Sequence, residues 1–176
     1  CLFGTNSPFA KNIYGVASTA GKVVKIGTNA KLDLDISDVM ALVEAGSLDV
    51  NGFAAGYTLK NDLRKLRDAN GNQLFVQDVN QNTLYAQPIE FSRNGAWDAT
   101  KAAAIAADWK YSIVGIRSQI EYEVLKEATL QTVTMGDSKP LSLAENDMIA
   151  IKATMRLGFL PVKEEAFAVL APKATA

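Results

Sequence analysis

The stretch YSIVGIRSQIEYEVL at residues 111–125 and the stretch IAIKATMRLGF at residues 149–159 decide the fold. The even positions of the first stretch are mostly apolar and its odd positions mostly polar, and the second stretch alternates in the same way, with its apolar residues at odd positions. Successive side chains of a strand point to opposite faces, so each stretch predicts a long strand with one polar face. The polar segment from Thr132 to Pro140 predicts a loop at the far end of a two-stranded ribbon. Because such a ribbon is marginally stable alone in water, we expect another element or another chain to cover it.

Two helices are predicted before the ribbon. In the first, Asp35 or Ser37 can act as the N-cap, and apolar residues recur at helical spacing until Gly46. The second begins near Thr58, whose hydroxyl can accept hydrogen bonds from amides of the first turn. It is predicted to end at the pair Asn70-Gly71, which suits a positive φ.

The rest of this region predicts strands and loops. Residues 1–30 are rich in Gly, Asn, Thr and Ala, which predicts a loop with one short strand. Val50 to Ala55 predicts a short buried strand, Leu74 to Val76 a short apolar segment, and Asp78 to Thr83 a solvated loop. Together these elements predict an α+β fold in which at least two helices flank a central sheet, mixed or mostly antiparallel, and the two-stranded ribbon extends from it.

The composition argues against several classes of function. The chain has 176 residues, enough for one domain or one and a half, and its 18 Lys and Arg against 19 Asp and Glu give a net charge of −1. This balance gives no long-range attraction to nucleic acid or to anionic lipid, and no apolar run is long enough to span a membrane. Histidine is absent, which removes the commonest general base and metal ligand. Cys1 is the single cysteine, so neither an internal disulfide nor a CxxC metal site can form.

Motifs for catalysis are weak. Residues 15–22 end in Gly-Lys, but the spacing of a phosphate-binding loop fails, so an ordinary loop explains the pair better. The carboxylate pairs Asp33 and Asp35, Glu121 and Glu123, and Glu164 and Glu165 are more typical of solvated faces than of paired-acid catalysis, because neither an apolar pocket nor a metal ligand set is indicated around them. We therefore predict no catalytic, cofactor-binding or metal-binding residues, and no cofactor.

Nucleic-acid recognition is equally weak as a hypothesis. Basic residues from Lys60 to Arg67 alternate with acidic ones, which is typical of a salt-bridged helix face. Trp97 and Trp109 are expected to be anchors of the core or of an interface, because no basic groove flanks them.

A pattern spread over nearly the whole chain resembles a known family. It comprises, in order, Phe3-Gly4-Thr5, Ile13-Tyr14-Gly15-Val16, Leu63 to Phe75 (LRKLRDANGNQLF), Ala107-Asp108-Trp109 and Asp147 to Leu170 (DMIAIKATMRLGFLPVKEEAFAVL). The order and spacing resemble those of the major capsid proteins of tailed bacteriophages and prophages with the HK97-type fold. The resemblance implies a structural protein and not an enzyme.

The resemblance also implies a domain organisation. Residues 1–125 and 158–172 would form the axial domain, or A-domain, and residues 126–157 would be a portion of the peripheral domain, or P-domain. Members of this family carry an N-terminal arm, an extended loop and a long spine helix before this region. We therefore expect the chain to be a C-terminal fragment of the complete protein.

Three loops are candidate contact sites by the same resemblance. Asp78 to Thr83 and Gly27 to Ala30 are candidates for loops that face the five-fold or six-fold axis of a capsomer. The tip from Thr132 to Pro140 matches the P-domain loop that meets its counterparts at three-fold positions.

Covalent cross-linking is not expected. Some relatives join subunits by a Lys–Asn isopeptide bond that a Glu assists. Alignment on Arg156 puts Asp147 where the Asn is needed and Thr154 where the Glu is needed. A carboxylate is a poor acyl donor and a threonine cannot act as the buried base, so neither residue can play its part.

The resulting hypothesis is a shell subunit that self-associates into pentamers and hexamers around double-stranded DNA. Its partners would be further copies of itself and other virion proteins such as scaffold or portal, with no sequence-specific nucleic acid and no membrane. It would be located in the virion, and in the bacterial cytoplasm during assembly. Two alternatives stay open: an encapsulin-like compartment that houses enzymes, and a small enzyme that depends on carboxylates.

Overall fold

The computed structural model describes residues 1–4, 8–29, 31–93, 95–134 and 140–173, which divide into two compact units. The first unit is Cys1–Ile113 with Phe159–Ala176, and the second is Val114–Gly158. The helices are α1 (Ile13–Thr19), α2 (Leu32–Glu44), α3 (Tyr57–Lys65) and α4 (Val76–Gln81), with 3₁₀ turns at Trp109–Tyr111 and Glu164–Ala166. The strands are β1 (Val23–Lys25), β2 (Gly52–Ala55), β3 (Thr83–Leu84), β4 (Gln87–Phe91), β5 (Ala104–Ala107), β6 (Ser112–Leu125), β7 (Thr129–Thr134), β8 (Pro140–Ser142), β9 (Ala150–Pro161) and β10 (Phe167–Ala171).

The first unit is built on a six-stranded mixed sheet with the strand order β1-β10-β5-β2-β4-β3. β1 runs parallel to β10 and β2 parallel to β4, whereas β5 is antiparallel to both of its neighbours. Every residue of β5 is buried, as are the first four of β10, so these central strands are apolar on both faces. The helices α1 and α2 contact β10 and bury their apolar stripes against the sheet. The prediction of an α+β fold with a central mixed sheet flanked by helices is confirmed.

The second unit holds two small sheets. β6 pairs with β9, which confirms that both alternating stretches are long strands, and β7 pairs antiparallel with β8. Leu141 and Leu143 are buried in this unit.

The predicted helix boundaries shift. α2 begins at Leu32 with Lys31 as its N-cap, so neither Asp35 nor Ser37 caps it. α3 begins at Tyr57, one residue before the predicted Thr58, and ends at Lys65. It stops earlier than predicted because the Asp68 carboxylate accepts hydrogen bonds from the amides of Asn70 and Asn72 at 2.8 Å each and so forms a local turn.

Two predicted loops contain short helices. The segment Asp78 to Thr83 is mostly α4, and residues 1–30 contain α1 as well as the strand β1. α1 forms because the Asn12 side chain accepts from the Gly15 amide at 2.7 Å and because Ile13 and neighbouring apolar residues are buried. Helices this short depend on tertiary burial for their stability, so local sequence patterns alone did not indicate them.

Candidate assembly surfaces

The sheet of β6 and β9 carries a large exposed apolar face. Side chains with 44–72% exposure include Val114, Ile116, Ile120, Tyr122, Val124, Ile151, Met155 and Leu157. Soluble monomers rarely expose a contiguous apolar surface of this extent, and such surfaces mark sites of interaction. We call this surface the ribbon face.

A single ion pair shows that the apolar residues of the two strands share one side of the ribbon. Lys152 of β9 donates to Glu123 of β6 at 3.0 Å, so the even positions of β9 and the odd positions of β6 lie on the same side. Side chains alternate along each strand, so the odd positions of β9 and the even positions of β6 lie together on the other side. These are the apolar positions, and the ribbon face is therefore continuous across both strands.

A buried acid holds the first candidate axis loop. Asp35 is completely buried, and its carboxylate accepts hydrogen bonds from the amides of Gly27 at 2.7 Å and Asn29 at 2.8 Å. The Asn29 side chain donates in turn to exposed Asp38. Ala30, the last residue of this loop, lies outside the described residues. Sequence analysis missed the role of Asp35, although its place on the same helical stripe as Val39 and Val43 was a signal.

Asp35→Ala is expected to lower the free energy of unfolding by about 2–3 kcal/mol, because it leaves two partly buried amides without their charged acceptor. Urea unfolding followed by circular dichroism measures the change. The matched control is Asp38→Ala, which removes only an exposed side-chain hydrogen bond and is expected to cost less than about 1 kcal/mol. Equal losses in the two variants would show that Asp35 does not hold the loop.

The second candidate axis loop, Asp78 to Thr83, leads into a tight hairpin between β3 and β4. Its two turn residues, Tyr85 and Ala86, have φ values of 50° and 63°, which is a left-handed conformation unusual for residues other than glycine. The Tyr85 hydroxyl donates to the Asp33 carbonyl oxygen at 3.1 Å. The pKa of Tyr85 is raised above its usual value of 10. Burial is the largest cause, and the negative charges of Asp33 and Asp78 add to it. Since the folded pKa is raised, the neutral phenol contributes stability below pH 10 that is lost as the pH rises through the raised value.

The third candidate, the tip from Thr132 to Pro140, is described only at its two ends. The residues 135–139 lie outside the described residues. The interpretation of this tip as a three-fold contact stays a prediction.

Two of the carboxylate pairs contribute a residue to an exposed ion pair. Glu123 and Glu164 each form an exposed ion pair, with Lys152 and Lys11 respectively. Across those ranges no group of three or more His, Cys, Asp or Glu side chains could hold a metal ion, and no described helix is long and apolar enough to cross a membrane.

Lys22, the last residue of the rejected phosphate-binding motif, has a structural contact instead. An open groove of about 720 Å³ lies between the ends of α1 and α2 and the segment 162–165. At this groove the Lys22 ammonium donates to the carbonyl oxygens of Leu42 at 2.9 Å and Glu165 at 2.8 Å. The lysine thus joins the end of α2 to the segment that precedes β10.

Both tryptophans pack against the core of the first unit, as anchors would. The indole of Trp97 donates to the Ala102 carbonyl at 2.7 Å, and that of Trp109 donates to the Gly52 carbonyl at 3.0 Å. Buried Asp108 accepts from the Asn51 side chain and thereby fixes the start of the segment that leads into β6.

Comparison with known proteins decides the family. The sequence matches the model of the phage capsid family over residues 2–171. The chain belongs to the phage capsid family. The major capsid protein of Staphylococcus phage 80alpha is 30% identical to this family member over 167 residues, which cover 95% of this chain and 50% of that protein. The chain thus spans about half the length of the curated relative that it matches.

Solved structures of phage proteins support the fold. A chain in the structure of Microbacterium phage Oxtober96 has a TM-score of 0.83 at 28% identity, covering 97% of this chain and 59% of that chain. A chain in the structure of Mycobacterium phage Adephagia has a TM-score of 0.79 at 23% identity, covering 99% of this chain and 59% of that chain. The expected HK97-type fold of this phage capsid family member is confirmed.

Proposed function

We propose that this chain is part of a structural shell subunit that self-associates into pentamers and hexamers and encloses double-stranded DNA. The observation that carries the proposal is the uncovered ribbon face in a member of the phage capsid family. A surface of this kind is stable in water only when other parts of the complete protein or neighbouring copies cover it.

The proposed domain assignment follows the family resemblance. Residues 1–125 and 158–172 are the A-domain, and residues 126–157 belong to the P-domain. In the assembled shell, the loop held by Asp35 and the segment Asp78 to Thr83 face the capsomer axis. The subunit has no catalytic activity of its own, and its further partners are scaffold or portal proteins of the virion, which it meets in the bacterial cytoplasm during assembly.

The charge and the multiplicity of contacts suit this function. A net charge of −1 allows many identical surfaces to approach without strong repulsion. When each subunit contacts several neighbours, closure of the shell adds the contacts together, so each single contact can be modest in affinity.

Electron microscopy of the protein made from its complete coding sequence tests the proposal. We expect closed icosahedral particles with pentamers and hexamers, and nuclease-protected double-stranded DNA in particles from the native host. Particles that enclose a cargo enzyme in place of DNA would support the encapsulin-like alternative. A protein that stays monomeric at high micromolar concentration would contradict the shell function.

A further inference from the structure

The exposed face of α2 is acidic and partly apolar. The helix Leu32–Glu44 contains four acidic residues and no basic one. Its solvent-exposed positions follow helical spacing on one face and include Leu34, Asp38, Ala41 and Glu44. Leu34 is 49% exposed, although it is a large apolar side chain. We call this surface the acidic face.

The exposed surface of α3 is basic at its C-terminal end, where Arg64 and Lys65 outnumber the exposed Asp62. Tyr57, Asn61, Arg64 and Lys65 are exposed and lie on one side of the helix, at positions i, i+4, i+7 and i+8. The ring of Tyr57 is 48% exposed and lies 5.8 Å from the ring of Phe91, which holds it in place. We call this surface the basic face.

The two faces belong to helices whose main contacts are with different strands of the same six-stranded sheet. α2 contacts β1, β10 and β5, at one end of the strand order. α3 contacts α4, which contacts β3 at the opposite end. The Tyr85 hydroxyl, in the turn between β3 and β4, also donates to the Asp33 carbonyl oxygen, so the start of α2 lies next to that turn. The first compact unit therefore carries the acidic face and the basic face on two different helices.

We propose that the acidic face of one copy docks on the basic face of the next copy around a capsomer ring. This proposal rests on the proposed shell function and names a contact that joins its subunits. A ring requires a heterologous contact, in which two different surfaces of each copy meet. A two-fold contact between two acidic faces or between two basic faces would bring like charges together, so the charge pattern favours the head-to-tail arrangement.

Glu44 gives further support, because it is a charged side chain at the last position of α2. A negative charge there opposes the helix dipole, and the Lys22 ammonium, which donates to the Leu42 carbonyl oxygen, offsets the dipole only in part. Throughout the described part of the chain, the side chains of Glu44, Arg64 and Lys65 make neither hydrogen bonds nor ion pairs. A contact between copies would give all three of these charges an opposite partner, while small Ala41 lets two helices approach closely.

A charge-swap experiment in the complete protein tests the docking. Asp38→Lys with Glu44→Lys, and separately Arg64→Glu with Lys65→Glu, should each raise the concentration at which shells appear at least tenfold. The two pairs shift the net charge in opposite directions, so a shared defect cannot come from net charge. Combining all four substitutions restores complementarity and should restore assembly. Added salt should partly relieve the defect of each pair, because it screens exposed charges.

Disulfide trapping gives a second measurement that does not depend on the reversed charges. In a Cys1→Ser background, Ala41→Cys together with Asn61→Cys should give, on oxidation of assembled shells, a series of linked species up to pentamers and hexamers. The matched pair Thr19→Cys with Asn61→Cys should not give this series, since Thr19 is exposed on α1 instead.

The outcomes separate this inference from the shell function. If the wild-type protein forms shells and both charge-swap pairs assemble normally, or if the combined variant folds but is not rescued, the docking is wrong and the shell function stands. Absence of the linked series in assembled shells would equally overturn the docking. If the wild-type protein forms no shells at all, the proposed function itself fails.

Discussion

Lysine at both Ile116 and Ile151 is expected to abolish closed shells while the first compact unit stays folded. The two side chains are 61% and 71% exposed in this chain, so a charge there costs little before assembly. Once the ribbon face is covered, each unpaired ammonium must be desolvated, which costs several kcal/mol. Every subunit carries this cost, so we do not expect partly assembled shells to be stable.

The measurement combines electron microscopy and sedimentation of the complete protein with thermal unfolding of the present chain. The matched control adds the same two charges on the polar side of the same strands, as Gln119→Lys with Thr154→Lys, and should assemble normally. A normal yield of shells from the apolar-face variant would show that assembly leaves the ribbon face in water.

Phe167→Ala is expected to lower the free energy of unfolding by about 3–5 kcal/mol, the usual cost of a large cavity in a core. Phe167 is completely buried, and its ring meets that of Trp109 edge-on at 6.3 Å between centroids. It begins β10, which lies between β1 and β5 in the sheet, so the cavity cannot collapse without moving central strands.

Urea unfolding of the chain measures this loss, with a change in midpoint but not in slope if only stability is altered. Leu160→Ala provides the control, because Leu160 is 52% exposed and its truncation should change the free energy by no more than about 0.5 kcal/mol. A similar loss in both variants would contradict the assignment of Phe167 to the core.

The ribbon could be predicted from sequence because period-two alternation over more than ten residues has few competing interpretations. The short helices could not be predicted in this way. α1 and α4 contain 7 and 6 residues, too few to show helical periodicity, and they are stable only through what they pack against.

Some features of the candidate sites could likewise be predicted from sequence, and others could not. The apolar alternation marked the ribbon face, and family resemblance marked the segments around residues 27–30 and 78–83. The buried acceptor role of Asp35 depends on Gly27 and Asn29, which only the fold brings within reach of its carboxylate. The charges from Lys60 to Arg67 were interpreted from sequence as a salt-bridged helix face, and the fold was needed to show which of them are exposed.

The strand order has a consequence for biosynthesis. β10 is the last strand of the sheet along the chain, and it fills the gap between β1, made near the start, and β5. On the ribosome, β1 therefore lacks its partner strand, and the four strands β5-β2-β4-β3 lack theirs at one edge, until residue 171 has emerged. Such distant pairings form late and slowly. We therefore expect the sheet of a nascent polypeptide to be completed only after translation of this region has finished.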